Sequence, residues 1–340
     1  MISLIKKTLI FFSLLTIGSL FLIVSILWTY SNKLPDYKYL KNYKPPVSSK
    51  LYSGKGTLVS DFSAEKRIFV PYESIPDIVI NAFLSAEDKN FFSHPGVDAK
   101  GVIRAFKNNF FNLLNSKRLE GASTITQQVA KNFLLNNEVS IDRKIKEAIL
   151  AFRIERALSK ERILELYLNQ IYLGEGSYGI ASASLRYFDK SINELNYSEA
   201  ALLAALPKAP SKYNPYKNKK LAKFRRDLVI KNIFENSYID NTNYNKLIKS
   251  EIKLRKRKRI YLEDSRYFVE EVRKKVINNY GFNKVYKQGF NIKTPIDLKL
   301  QNIATKALRI GLEKYDKRRG WRGPLLNKKL NNKWIEGLEK

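Results

Sequence analysis

Hydrophobic positions along this chain follow three different patterns. From Thr8 to Tyr30, TLIFFSLLTIGSLFLIVSILWTY carries no charged residue, and roughly 23 residues at 1.5 Å rise cross a ~30 Å hydrocarbon layer. This predicts a transmembrane anchor at 8–30 after a cytoplasmic tail at 1–7, with Trp28 and Tyr30 closing the span at interface depth. Lysines on both sides leave the orientation open. A cleaved leader is the competing reading, but the run is long for one and no small-x-small site follows in SNKLPDYKYL. Residues 31–50, rich in Lys, Tyr and Pro and without a period, read as a stalk.

The second pattern is short and alternating: LYSGKGTLVSDFSAEKRIFVPY predicts strands around Thr57–Phe62 and Arg67–Val70. Beyond Pro76 the period becomes helical. Ile80, Phe83, Leu84, Glu87 and Phe91 recur at steps of three and four, so Glu87 shares an apolar face near a helix end. Ile145, Ile149, Leu150 and Phe152 mark a helix over about 142–158, and Ile163, Tyr167, Leu168 and Ile171 mark another. Ser198 is the expected N-cap of an Ala- and Leu-rich helix that Pro207 stops. The expected fold is mainly α, with a first domain at 51–235. From 236 on, the basic run KLRKRKRI, a helix near Ser265–Tyr280 and the strand-then-helix pattern GFNIKTPIDLKLQNIATKALRIGL predict a small α+β extension at 236–340.

Composition narrows the chemistry. The 340 residues hold 62 Lys and Arg against 32 Asp and Glu, a formal charge of +30, which calls for an anionic partner or a membrane surface, or reflects Lys-rich background. With no cysteine and one histidine, thiolate chemistry, Cys-based zinc sites and a triad on any histidine but His94 are excluded. No helix-turn-helix, zinc or RNP-type signature supports a nucleic-acid partner.

Three segments carry candidate chemistry. In EDKNFFSHPG, from Glu87 and Asp88 to His94 and Gly96, an acidic residue held among apolar neighbours has its pKa moved toward the range useful for a general base. A solvated Glu-Asp pair at a helix end fits the periodicity equally well, and His94 reads as holding the loop. GASTITQQ, followed by Lys131 and Asn132, gathers the polar groups of Ser123, Thr124, Gln127 and Gln128 that suit a sugar or phosphate. A Ser/Thr helix cap explains one or two of them. RKIKE puts Arg143 and Glu147 one turn apart, with Lys144 beside them; a surface ion pair is the plainer reading of that pentapeptide alone.

Together with KERILELYLN at Lys160–Asn169 and RRDLV at Arg225–Val229, these segments resemble, in order, the five signatures of the peptidoglycan glycosyltransferase family. The match covers roughly 51–235. The resemblance implies a lysozyme-like helical domain that polymerises lipid II on the outer, periplasmic side of the cell membrane. It implies Glu87 as the base on the acceptor 4-hydroxyl, with inversion at the donor sugar and release of undecaprenyl diphosphate. It implies Glu147 as second acidic residue beside Arg143, Lys144 and Lys131 at the diphosphate. Asp88, His94, Ser123, Thr124, Gln127, Gln128 and Asn132 complete the expected substrate site. No cofactor is obligatory, although a divalent cation such as Mg2+ can assist at the diphosphate. Expected partners are lipid II, the growing glycan, membrane lipid and cell-wall synthesis proteins.

The stripe Val102, Phe106, Phe110, Phe111 and Leu114, mixed with Arg104 and Lys107, is either a core helix or a basic amphipathic segment at the bilayer interface. The tail resembles the linker into the transpeptidase region of class A penicillin-binding proteins. That region needs S-x-x-K, S-x-N and K-T-G together. The set is incomplete here: Ser3-Leu4-Ile5-Lys6 is a chance match at the anchor, and Lys293-Thr294-Pro295 departs from K-T-G. The chain therefore reads as a truncated product or a fragment without transpeptidase activity. Competing functions are a lytic transglycosylase or muramidase, and a non-catalytic cell-wall-binding remnant.

Overall fold

The computed structural model describes residues 34–43, 48–62, 66–114, 123–136, 138, 140–255 and 263–320, together with 121, 323 and scattered positions between 10 and 31. Described positions within the predicted span at 8–30 are helical and mostly exposed; the rest of that span and the tail at 1–7 lie outside the described residues. Among the described residues no helix is long and apolar enough to cross a membrane.

In chain order come β1 (Ser49–Tyr52), β2 (Leu58–Phe62), β3 (Lys66–Arg67), α1 (Asp77–Glu87), α2 (Ala99–Leu114), α3 (Ile125–Leu134), α4 (Ile141–Ala157) and α5 (Lys160–Gln170). After β4 (Ser177–Tyr178) follow α6 (Ile180–Phe188), α7 (Tyr197–Ala205), α8 (Lys219–Glu235) and α9 (Asn241–Lys249). The remainder holds α10 (Arg266–Tyr280), α11 (Phe282–Lys287), β5 (Asn291–Lys293) and α12 (Leu298–Arg318). The chain is thus mainly helical, as its periodicity predicted.

Two compact units result. One comprises Met1–Ser48, Ser63–Lys258 and Tyr286–Gln288; the other comprises Ser49–Phe62, Arg259–Val285 and Gly289–Lys340. The predicted strand regions do not pair with each other. In the second unit β1 runs antiparallel to β2 and parallel to β5, with Leu51 opposite Ser60 and Ile292. In the first unit β3 pairs with β4. Strand partners are chosen by distant chain, which local alternation cannot specify.

In the first unit, α7 is apolar all round and buries every residue from Ala200 to Ala205, so α1 and α8 both pack against it. Its cap is Asn196 rather than Ser198: Asn196 accepts the Glu199 N–H while the Glu199 carboxylate returns to the Asn196 N–H. Ser198 is used instead by Arg226 of α8. The segment read as a stalk is packed at Lys38–Asn42, a 3-10 turn whose Leu40 is fully buried. Tyr43 sits edge-on to Phe133 at 4.9 Å, and Arg162 donates to the Tyr43 carbonyl. On α4 the buried residues are Glu147, Ile149, Leu150, Ala151 and Ile154, so Ile149 and Leu150 face the core as expected while Phe152 is exposed, against expectation.

Candidate active site

α1 is amphipathic, with Val79, Ile80, Phe83 and Leu84 in the core, and its last residue is Glu87. One turn beyond Phe83, Glu87 is half-buried, and its Oε2 accepts a 2.8 Å hydrogen bond from Gln128 Nε2 on α3. Burial pushes its carboxyl above the ordinary carboxylate range; the Gln128 hydrogen bond and the charges of Arg225 and Lys208 oppose that shift, and Asp88 adds to it. The negative end of the α1 dipole acts in the same direction as burial. The result is a carboxyl that accepts a proton more readily than a solvated glutamate, beside cations that keep it ionisable.

Asp88 turns the other way. Its carboxylate accepts the Ile125 N–H at 3.0 Å and the His94 Nε2–H at 3.0 Å, while His94 Nδ1 accepts the Gly96 N–H at 3.1 Å. Both imidazole nitrogens are therefore engaged, with the proton assigned to Nε2 by this network. Thr124 Oγ1 donates to the Gly96 carbonyl at 2.6 Å, and a capping box joins Thr124 to Gln127. Gly96 has φ +105°, and a Cβ there would stand 2.8 Å from the Ala151 carbonyl oxygen, so glycine is required. Asp88, His94, Thr124 and Gln127, expected at the substrate, are thus all buried and spent on holding the 88–96 loop against the start of α3. What they position is Gln128, the next residue on α3, and through it Glu87.

A second acidic site lies on α4. Glu147 is buried, its Oε2 accepts from Lys144 Nζ at 2.6 Å, and Arg143 Nη1 stands 3.1 Å from Oε1. Lys144 Nζ also donates to Ser123 Oγ at 2.7 Å. A surface ion pair is thereby excluded for Glu147, because its position falls on the buried stripe. The Arg143 contact is poorly aligned: its Nε and Nη1 and the Glu147 Oε1 are buried without a hydrogen bond among the described residues. Buried guanidinium donors in that condition are suited to an anion. Lys131, half-buried, and Asn132, exposed, lie on α3, and neither side chain has an ion pair or hydrogen bond with the described residues.

Arg225, Lys208 and Tyr167 reach Glu87 electrostatically and were not among the expected site residues. Arg225 belongs to the last motif, where its neighbour Arg226 is the structural one: fully buried, it donates to Asp227, Ser198 and the Ser250 carbonyl. Lys208 follows the Pro207 helix stop and carries no periodic signal. S-x-x-K spacings recur at Ser63–Lys66 and Ser250–Lys253 and an S-x-N spacing at Ser191–Asn193; Ser63 lies outside the described residues, and the other two serines are structural. Ser250 Oγ donates to the Leu247 carbonyl in the extended C-cap of α9, and Ser191 caps a 3-10 turn.

Comparison with known proteins gives a consistent picture. The transglycosylase family profile matches residues 55–234. A penicillin-binding protein 1A of Rickettsia prowazekii (strain Madrid E) is 47% identical over 316 residues, covering 93% of this chain and 40% of the relative. That of Aquifex aeolicus (strain VF5) is 44% identical over 296 residues, covering 87% of this chain and 40% of its own length. The crystal structure of penicillin-binding protein 1A from Haemophilus influenzae superposes with a TM-score of 0.51 at 28% identity, over 87% of this chain and 34% of that one. The chain spans about two fifths of the length of the curated relatives it matches.

Proposed function

The chain belongs to the transglycosylase family, and from that premise we propose that it polymerises lipid II into β-1,4-linked glycan strands in cell wall synthesis. The observation that carries this reading is Glu87: a carboxyl raised by burial, oriented by Gln128, at the end of a helix packed into the core. In the reaction it takes the proton of the acceptor 4-hydroxyl as that oxygen attacks the donor anomeric carbon. The bond to the lipid diphosphate breaks on the opposite face, giving inversion in one displacement. Negative charge then grows on the leaving diphosphate, and Arg143, Lys144 and Lys131 are the cations assigned to it, with Ser123 as a hydroxyl partner. Glu147 holds Arg143 and Lys144 in place. Asp88, His94, Thr124 and Gln127 act from behind as supports rather than by touching sugar. Mg2+ is an optional addition at the diphosphate, to be tested by chelation.

The substrate's lipid tail requires a membrane, and two features support that location. Ile10, Phe11, Leu14 and Phe21 are exposed, and so are Val102, Ile103, Phe106 and Phe111 on α2, which favours the interfacial reading of that stripe over a core helix. We place the catalytic unit on the periplasmic side of the inner membrane, and assign no transpeptidase activity to this chain. Purified chain incubated with lipid II should yield polymer, and Glu87→Gln should yield none; hydrolysis of preformed glycan without polymerisation would transfer the assignment to a lytic enzyme.

A further inference from the structure

Tyr167 lies in the middle of α5, on the stripe of Ile163, Leu164 and Leu168 that faces the core, and is 1% exposed. Its ring meets Phe83 edge-to-face, centroids 6.3 Å apart at 76°. Phe83 is one helical turn before Glu87 on the same face of α1. The hydroxyl at the tip of this ring is buried and has no hydrogen-bond partner among the described residues. A buried phenol normally finds one, because a donor left unsatisfied in the interior is costly. Phenylalanine would fill the same space without that cost, so packing gives no reason for the oxygen.

The groups around it give one. Burial drives the Tyr167 hydroxyl far above its ordinary pKa, and the charges of Glu87 and Asp88 push it the same way, so it stays a donor throughout the working range. Asp88 already accepts from His94 and the Ile125 N–H. Among the described residues Glu87 has only Oε2 committed, to Gln128. Catalytic hydrogen bonds are often unmade in a free enzyme and close only with substrate bound.

We propose that Tyr167 is a positioning residue for Glu87, its hydroxyl donating to the ionised carboxylate when the acceptor is bound and fixing the oxygen that takes the proton. This deepens the assignment of Glu87 as base and rests on it. A donor to the charged form favours that form and lowers the pKa at which the base is lost. The other groups facing Glu87 are Gln128, Asp88, Arg225 and Lys208, and none of them changes in the variant below.

The test compares wild type, Tyr167→Phe and Glu87→Gln in lipid II polymerisation between about pH 5 and 9, with kcat, KM and thermal stability measured for each. Tyr167→Phe should lower the kcat plateau about tenfold, leave KM within about twofold, and move the acidic limb of the kcat profile to higher pH. Its Tm should be unchanged or higher, since an unsatisfied hydroxyl is removed; a purely structural tyrosine would lower Tm and leave the limb in place. An inactive Glu87→Gln beside a Tyr167→Phe with wild-type kcat and limb overturns the role of Tyr167 alone. An active Glu87→Gln overturns the base assignment and the Tyr167 role with it.

Discussion

Glu87 and Glu147 are the same residue in two helices of one unit, and their surroundings drive them toward different work. Glu87 ends α1 with an amide as its direct partner, and burial raises its carboxyl. Glu147 sits one turn from the first residues of α4, buried between Arg143 and Lys144. A carboxyl whose charged form is disfavoured is fit to receive a proton; one wedged between cations is fit to hold them. Separating two carboxyls by environment is how one fold obtains a base and an electrostatic support from the same side chain.

The sharpest way to break this comparison is to neutralise each in turn. Glu87→Gln keeps the shape and the Gln128 contact, and should cut kcat by about 10²- to 10⁴-fold with donor affinity retained. It should also change stability in a defined direction. The folded protein holds the Glu87 proton to higher pH than the unfolded chain does, so ionisation costs stability as pH rises above the ordinary carboxylate range. The variant should therefore have a higher Tm than wild type at about pH 8 and no advantage at about pH 4, as calorimetry would show; a lower Tm at about pH 8 contradicts the assigned direction.

Removing Glu147 should act on binding and folding instead. Glu147→Ala leaves Arg143 buried without its counter-ion, and breaking a buried pair costs about 3 kcal/mol or more. Denaturant unfolding should register that loss, while the acidic limb of kcat stays where it is. Arg143→Ala and Lys131→Ala should weaken a phosphoglycolipid mimic of the donor by about tenfold each, roughly the worth of one charge-assisted contact. Unchanged affinity in titration calorimetry would detach these cations from the diphosphate.

Two smaller changes sharpen the Glu87 side. Gln128→Ala removes the donor that opposes the raised pKa, so the acidic limb should move to higher pH with a several-fold loss of kcat. Thr124→Ala removes the N-cap of α3 and its bond to Gly96, for about 1 kcal/mol of stability. KM and the limb should stay near wild type, because the residue works one step behind the site.

Much of this was legible in the chain. The stripe through Ile80, Phe83 and Leu84 predicted α1 and placed Glu87 at its end, and five ordered motifs fixed the family and the catalytic candidates. The α4 stripe was drawn through Phe152 when the buried line passes through Glu147 and Ile154, a shift of less than one turn that reverses the meaning of Glu147. A periodic pattern gives a helix and its faces; it does not state which neighbour covers a face whose edge carries a charge.

By itself, the sequence determined the main helices and the identity of the groups able to do acid–base and anion chemistry, because these depend on neighbours within about one turn. The tertiary structure alone decided that Asp88 and His94 face inward, that Arg225 and Lys208 reach Glu87, and that the Tyr167 hydroxyl is buried without a partner among the described residues. It also decided that β1 pairs with β5, across more than two hundred residues of chain. Desolvation, charge proximity and strand partnership are properties of space, and residues far apart in the chain meet only once the helices have packed.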